Sequence, residues 1–188
     1  MTVVRSRTNE GEVMGLRGRR RDDGPGTRTF RMRQKLVSIG DDYWIEDDQG
    51  ERVYKINGKA LRVRETLILE DTHGGELYKI QSKMLHIRDT MKIEDGNGGD
   101  VATVKKALIT PLRDRFEVKV ANGPDMEAKG NIVDHEYKIE RDGTKVAEVS
   151  KKWFRVADTY GVEVEAGVEP SLILAVTAVI DSMADPGR

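Results

Sequence analysis

The sequence predicts a mainly β protein, an antiparallel sheet that closes on itself around one hydrophobic C-terminal helix. Two observations carry this prediction. A pattern of strand, acidic glycine-bearing turn and strand recurs every 24 residues between Ile45 and Val104. Near the end of the chain, the stretch 171–180 contains no charged side chain, although 35% of all residues are charged.

The N-terminal segment 1–29 is rich in glycine and arginine and lacks apolar periodicity. Such a segment cannot bury enough apolar surface to offset the entropy lost on ordering. We therefore expect a disordered basic tail over 1–29 and a folded domain over 30–184. The tail is either an arm for anionic partners or a passive extension.

Composition excludes several classes of function. The 32 Lys and Arg nearly balance the 33 Asp and Glu, so a nucleic-acid partner is not expected. No cysteine is present, which excludes disulfides, thiolate catalysis and cysteine-ligated zinc. A secretory signal requires an apolar run after its N-terminal positive charges, and this sequence has none there. We therefore expect a cytoplasmic protein.

Strands are expected from Phe30 onward, because short alternating runs are separated by turns rich in Gly, Asp and Asn. Three copies of the pattern align Glu46, Glu70 and Glu94, and a looser copy covers 139–149. A twisted sheet of about ten or more strands tends to curl and close. The acidic turns suggest calcium, but their spacing does not match a calcium loop, so we interpret them as hairpin turns.

The apolar stretch PSLILAVTAVID occupies 170–181. A membrane-spanning helix needs about 20 apolar residues, and this run is much shorter. A buried strand is an alternative, since several residues are β-branched. A helix over about 171–183 fits better, because Pro170 suits a first turn and Pro186-Gly187 would stop it. A helix that is apolar on all sides must be buried on all sides, which places it inside the closed sheet.

Five stretches of the chain resemble the LURP-one-related family, which belongs with the tubby C-terminal domain and the phospholipid scramblases. They are MRQKL at 32–36, VYKI at 53–56, LYKI at 77–80, WFRVADTYGV at 153–162, and LILA at 172–175 followed by Ile180-Asp181. The resemblance implies a tubby-like β-barrel of about 12 strands around a central hydrophobic helix. It also implies membrane-related function, because tubby-type domains bind phosphoinositides through basic side chains and scramblase-like relatives associate with membranes. The cysteine-rich stretch and calcium loop of scramblases have no counterpart here.

Two lysine pairs recur after the repeat turns and are candidates for binding an anion or a lipid headgroup. They are Lys105 with Lys106 and Lys151 with Lys152. Strand alternation places Lys106 and Lys151 on the core side, unless a bulge turns them outward. A buried lysine needs a carboxylate, and Asp181, Glu163 and Glu165 are the candidate partners. The alternative is a structural ion pair or two solvated strand edges.

Other residues that could carry chemistry give weaker signals. On a strand, His135 points away from the face shared by its two acidic neighbours, which argues against a joint metal or acid–base site. Trp153 and Phe154 are likewise expected on opposite faces of a strand. Asp158 to Gly161 is interpreted as a turn, in which a binding role for Tyr160 is an alternative. No cofactor or metal is expected.

The sequence thus predicts a non-enzymatic binding module, cytoplasmic and peripheral to the membrane. Its expected partner is an anionic phospholipid, including a phosphoinositide headgroup, or a membrane-associated protein. The alternative is a protein-interaction scaffold without a small-molecule ligand. An enzyme has the least support, because few polar residues converge, and a polar cavity with perturbed titratable groups would favour it.

Overall fold

The computed structural model describes residues 26–33, 43–57, 66–82, 90–107, 114–154 and 158–184. Within these ranges, twelve strands form a closed antiparallel barrel in which each strand pairs with its neighbours in the chain and β1 pairs with β12. The predicted fold is confirmed. The strands are β1 (Arg28–Arg33), β2 (Tyr43–Asp47), β3 (Arg52–Asn57), β4 (Thr66–Asp71), β5 (Glu76–Ser82), β6 (Thr90–Asp95), β7 (Asp100–Ala107), β8 (Asp114–Val120), β9 (Met126–Asn131), β10 (Glu136–Arg141), β11 (Thr144–Ser150) and β12 (Thr159–Val164).

The repeat seen in the sequence is a repeated hairpin. In three hairpins the aspartate that ends the first strand accepts two backbone N–H groups through Oδ1, from the residues two and four positions later. These aspartates are Asp47, Asp71 and Asp95, and the distances lie between 2.8 and 3.0 Å. A glycine with φ near +83° follows each, at Gly50, Gly74 and Gly98, because the turn needs a left-handed residue. The predicted turn chemistry is confirmed.

Each repeated hairpin also contains a β-bulge at the same place. The pairing register shifts just before the turn, for example between Ile45 and Glu46 in the first hairpin and between Ile139 and Glu140 in the loose fourth copy. A bulge bends its strand and increases the local twist. Repetition of the bulge around the sheet favours the curvature that closes the barrel.

The helix α1 (Pro170–Ala184) fills the barrel, and its bounds agree with the expected 171–183 to within one residue. Every residue from Ile173 to Ile180 has no exposed surface. The helix packs against inward-facing strand residues such as Phe116 and Ile80, which are also fully buried. Glu169 supports its first turn, since Oε1 accepts the backbone N–H of Ser171 at 3.2 Å. In the part of the chain that the structure describes, no helix has the length and apolar character needed to cross a membrane.

The two ends of the barrel differ in charge. One end, here called the acidic end, is formed by the connections 48–51, 72–75, 96–99, 121–125, 142–143 and 165–169. These connections contain no lysine or arginine, and their acidic residues are Asp48, Glu51, Asp125, Asp142, Glu165 and Glu169. At the opposite end β7 and β11 finish and α1 terminates. All four candidate lysines lie there, and we call it the lysine end.

Most of the predicted tail lies outside the described residues, which begin at residue 26. The first strand begins at Arg28, two residues before the expected start of the folded domain.

Candidate functional site

The first lysine pair lies near the end of β7. Lys105 is exposed, whereas Lys106 is half-buried. Lys106 pairs across the sheet with Phe116, a fully buried residue, and its Nζ lies 5.9 Å from the centre of that ring. Lys106 therefore lies on the inner face at the rim of the barrel, as the strand alternation predicted, and a cation over an aromatic ring is a favourable contact.

The second pair occupies a different kind of element. The strand β11 ends at Ser150, and Lys151–Trp153 form a short 3₁₀ helix in which the Ser150 hydroxyl accepts the backbone N–H of Lys152 at 3.2 Å. Lys151 therefore does not lie on a strand, and strand alternation does not define the side of the sheet that it occupies. Lys152 projects outward, with 79% of its side chain exposed.

A single carboxylate, that of Glu136 at the start of β10, fixes this 3₁₀ helix. Its Oε1 accepts the Ser150 hydroxyl at 2.9 Å and the Lys151 backbone N–H at 3.1 Å, and its Oε2 lies 3.0 Å from Lys152 Nζ. Partial burial acts to raise the pKa of Glu136, but the contacts with Lys152 and Ser150 outweigh it, and the net pKa is lowered. Glu136 is therefore charged at neutral pH and forms an ion pair with Lys152.

The carboxylates predicted to hold a buried lysine have other partners. Glu163 and Glu165 both contact Lys145, at 3.2 and 2.9 Å. Burial lowers the pKa of Lys145, but the hydrogen bonds to these two glutamates and to Glu148 raise it by more. The net pKa of Lys145 is therefore above its usual value. Asp181 pairs with His135. The predicted pairing of these acids with the candidate lysines is therefore wrong.

The prediction that Trp153 and Phe154 lie on opposite faces of a strand is wrong, because β11 ends at Ser150 and the 3₁₀ helix follows it. Both rings pack over the bare outer face of Gly161 in β12. A Cβ at Gly161 would lie 2.5 Å from Trp153 and 2.9 Å from Phe154, so only glycine fits beneath them. The Arg31 guanidinium lies 5.8 Å from the centre of the Phe154 ring and also pairs with Glu46. Basic and aromatic groups thus share one outer surface.

The two lysine pairs are not neighbours. In the closed strand order, β8, β9 and β10 separate β7 from β11, which is about 19 Å along the sheet at ~4.8 Å per strand. Lys105 with Lys106 and Lys151 with Lys152 therefore cannot grip one phosphate together. They lie at the same end of the barrel, where both can face one extended surface.

Sequence reasoning missed a buried polar cluster at the lysine end. His135 lies in the turn before β10 with φ of +53°, and its Nε2 is 2.5 Å from Asp181 Oδ1 in the last part of α1. The Tyr160 ring packs against the His135 ring at 4.4 Å between centres, with the two planes tilted by 35°. The prediction that His135 lies on a strand is wrong, because the left-handed turn directs its ring inward. A partner 46 positions away gives no local signal in a single sequence.

Three tyrosines complete this cluster, Tyr43, Tyr137 and Tyr160. Burial, and second the negative charge of Asp181, raise the pKa of all three. The hydroxyls of Tyr43 and Tyr160 have no hydrogen-bond partner among the described residues. No member of the cluster is more than 9% exposed. A substrate in solution therefore cannot reach these side chains in this conformation. We interpret the cluster as structural.

His73 and the acidic turns are the other candidates for a metal site in the described part of the chain. Within the described ranges, no group of three or more His, Asp or Glu side chains could hold a metal ion. His73 lies in an exposed turn, and Asp71 beside it accepts the backbone N–H groups of Gly75 and His73, which lower its pKa.

Comparison with known proteins identifies the family. A sequence profile described as LURP-one-related matches residues 28–181. No curated protein matches the chain significantly. The X-ray structure of an Arabidopsis thaliana protein superposes with a TM-score of 0.63 at 16% identity, covering 84% of this chain and 91% of that one. At that identity the likeness shows the fold alone. The profile match covers most of the barrel and the core helix, and the chain therefore belongs to the LURP-one-related family.

Proposed function

We propose that this protein is a non-enzymatic binding module that recognises anionic phospholipid headgroups, including phosphoinositides, at the cytoplasmic face of a membrane. The observation that carries the proposal is the separation of charge along the barrel axis. The connections at the acidic end carry six acids without a lysine or arginine, whereas at the other end the four candidate lysines outnumber the neighbouring acids Asp134, Glu136 and Asp158. An anionic surface attracts one end and repels the other.

The spacing of the lysine pairs favours a flat partner over a single headgroup pocket. Lys105 and Lys106 are separated from Lys151 and Lys152 by three intervening strands. A bilayer presents many headgroups in one plane, and several weak contacts add up there. Trp153 and Phe154 on the same outer surface suit the boundary between headgroups and acyl chains, where aromatic side chains are favoured.

Vesicle sedimentation tests the proposal. The full chain is incubated with vesicles of phosphatidylcholine alone, with added phosphatidylserine, and with added phosphatidylinositol bisphosphate, at low and high salt. We expect binding to the anionic vesicles only, weakened by salt. If the protein binds neither kind of anionic vesicle, the proposal is contradicted and the protein-interaction scaffold is favoured.

Matched double variants locate the surface. Lys105/Lys106→Gln and Lys151/Lys152→Gln should each weaken binding by up to about 30-fold, since each lysine near an anionic membrane contributes about 1 kcal/mol. The control is Arg52/Lys119→Gln, which removes two positive charges from exposed side chains next to the acidic end. Equal losses in all three variants would show that only net charge matters.

A further inference from the structure

Glu136 lies within the surface to which we assign lipid binding, although its charge has the wrong sign for that role. Three donors converge on its carboxylate, from Ser150, Lys151 and Lys152, at 2.9, 3.1 and 3.0 Å. Among the described residues, Glu136 is the acid that contacts Lys152. The arrangement places an internal anion against one of the lysines expected to contact a lipid phosphate.

The two halves of this contact differ in how easily they separate. Oε1 is held by a hydroxyl and a backbone N–H, both on buried or partly buried residues. Oε2 meets the end of a long side chain that is 79% exposed, whereas the Glu136 side chain is 26% exposed. An exposed ion pair of this kind contributes about 0–1 kcal/mol. Lys152 can therefore swing away while Glu136 keeps its other contacts.

We propose that Glu136 is an internal competitor for Lys152 and sets the affinity of the lysine end for an anionic bilayer. Without a membrane, Lys152 pairs with Glu136. At the bilayer, Lys152 must leave the carboxylate before it contacts a lipid phosphate, and the free energy of the broken ion pair weakens binding. This inference rests on the proposed function, and it assigns to one residue the control of how tightly that function operates.

The variant Glu136→Gln isolates this effect. Glutamine keeps a carbonyl oxygen to accept from Ser150 and Lys151, so the 3₁₀ helix stays in place while the negative charge is removed. We expect about five-fold tighter binding to vesicles containing phosphatidylserine, because Lys152, released from the carboxylate, then contributes its full ~1 kcal/mol at an anionic membrane. Thermal unfolding followed by circular dichroism confirms that the variant is folded.

Glu140→Gln is the matched control. Glu140 lies on the same strand and the same face as Glu136, about 13 Å away, and pairs with Lys129 at 2.7 Å. Glu140 lies four residues further along β10, towards the acidic end, so the same change of charge should alter vesicle binding much less. An equal gain in Glu140→Gln would reduce the effect of Glu136 to net charge and overturn the inference.

A double-mutant cycle tests the role of Lys152. If Glu136 acts by holding Lys152, most of the gain from Glu136→Gln should vanish in a Lys152→Gln background. An undiminished gain in that background overturns the inference. If the wild type binds and Glu136→Gln binds no more tightly, the inference fails while the proposed function stands. If neither binds anionic vesicles, both fail.

Discussion

His135 and Asp181 join the turn before β10 to the end of the core helix, with Nε2 of the histidine 2.5 Å from Oδ1 of the aspartate. Each side chain is only 7% exposed. The contact therefore fastens the helix inside the barrel at the end where the candidate lysines lie. Glu136, the next residue, holds the 3₁₀ helix on the outer surface, so adjacent residues support the core and the candidate binding surface.

Breaking this pair should destabilise the protein strongly. Asp181→Leu leaves the buried His135 without its hydrogen-bond partner, and we expect the free energy of unfolding to fall by about 1–3 kcal/mol. Asp181→Asn keeps a hydrogen-bond acceptor of the same shape and should cost less. Urea denaturation measures both, and equal losses would show that the contact between the two side chains is unimportant.

The buried helix should not tolerate a charge. Leu174→Asp and Ala178→Asp each place a carboxylate where no surface is exposed, which costs more than the few kcal/mol by which a domain is stable. We expect no folded protein from either variant, judged by circular dichroism and solubility. The control is Ser182→Asp on the same helix, where the side chain is only half-buried. Folded Leu174→Asp protein would mean that the helix lies outside the core.

The buried tyrosines predict a loss of stability at alkaline pH. Burial, followed by the charge of Asp181, raises the pKa of Tyr43, Tyr137 and Tyr160 above the usual value of about 10. Their contribution to stability is therefore intact below pH ~10 and is lost as the pH rises, because the unfolded chain ionises first. Ultraviolet titration should show three of the five tyrosines ionising only as circular dichroism reports unfolding. Ionisation of all five in the folded state would contradict the burial.

The fold could be predicted because its main signals are local. The aligned acidic turns that follow Asp47, Asp71 and Asp95 mark hairpins. The C-terminal helix is apolar on all sides, so the interior of the barrel is the place where it can be buried. The side of the sheet occupied by Lys106 followed from the same alternation. These features need no knowledge of distant contacts.

The candidate site was harder to predict, for two physical reasons. Alternation fails where a strand ends, and the Ser150 hydroxyl, by capping the 3₁₀ helix, ends β11 before Lys151. The left-handed conformation of His135 reverses the direction expected for a strand residue. The signal available for that turn was Asn131, whose side chain accepts the Asp134 backbone N–H at 3.1 Å. The pairing of His135 with Asp181 depends on the closed barrel and has no local signature.

The central claim is that the lysine end of the barrel contacts an anionic membrane, and Trp153 reports on it directly. The chain has two tryptophans, so Trp44→Phe leaves Trp153, next to Lys152, as the single tryptophan, which is excited selectively over the tyrosines. We expect phosphatidylserine vesicles to shift its emission to shorter wavelength and brominated acyl chains in those vesicles to quench it, whereas phosphatidylcholine vesicles should do neither. If the variant sediments with anionic vesicles while Trp153 emission stays unchanged, or does not bind them at all, the claim is contradicted.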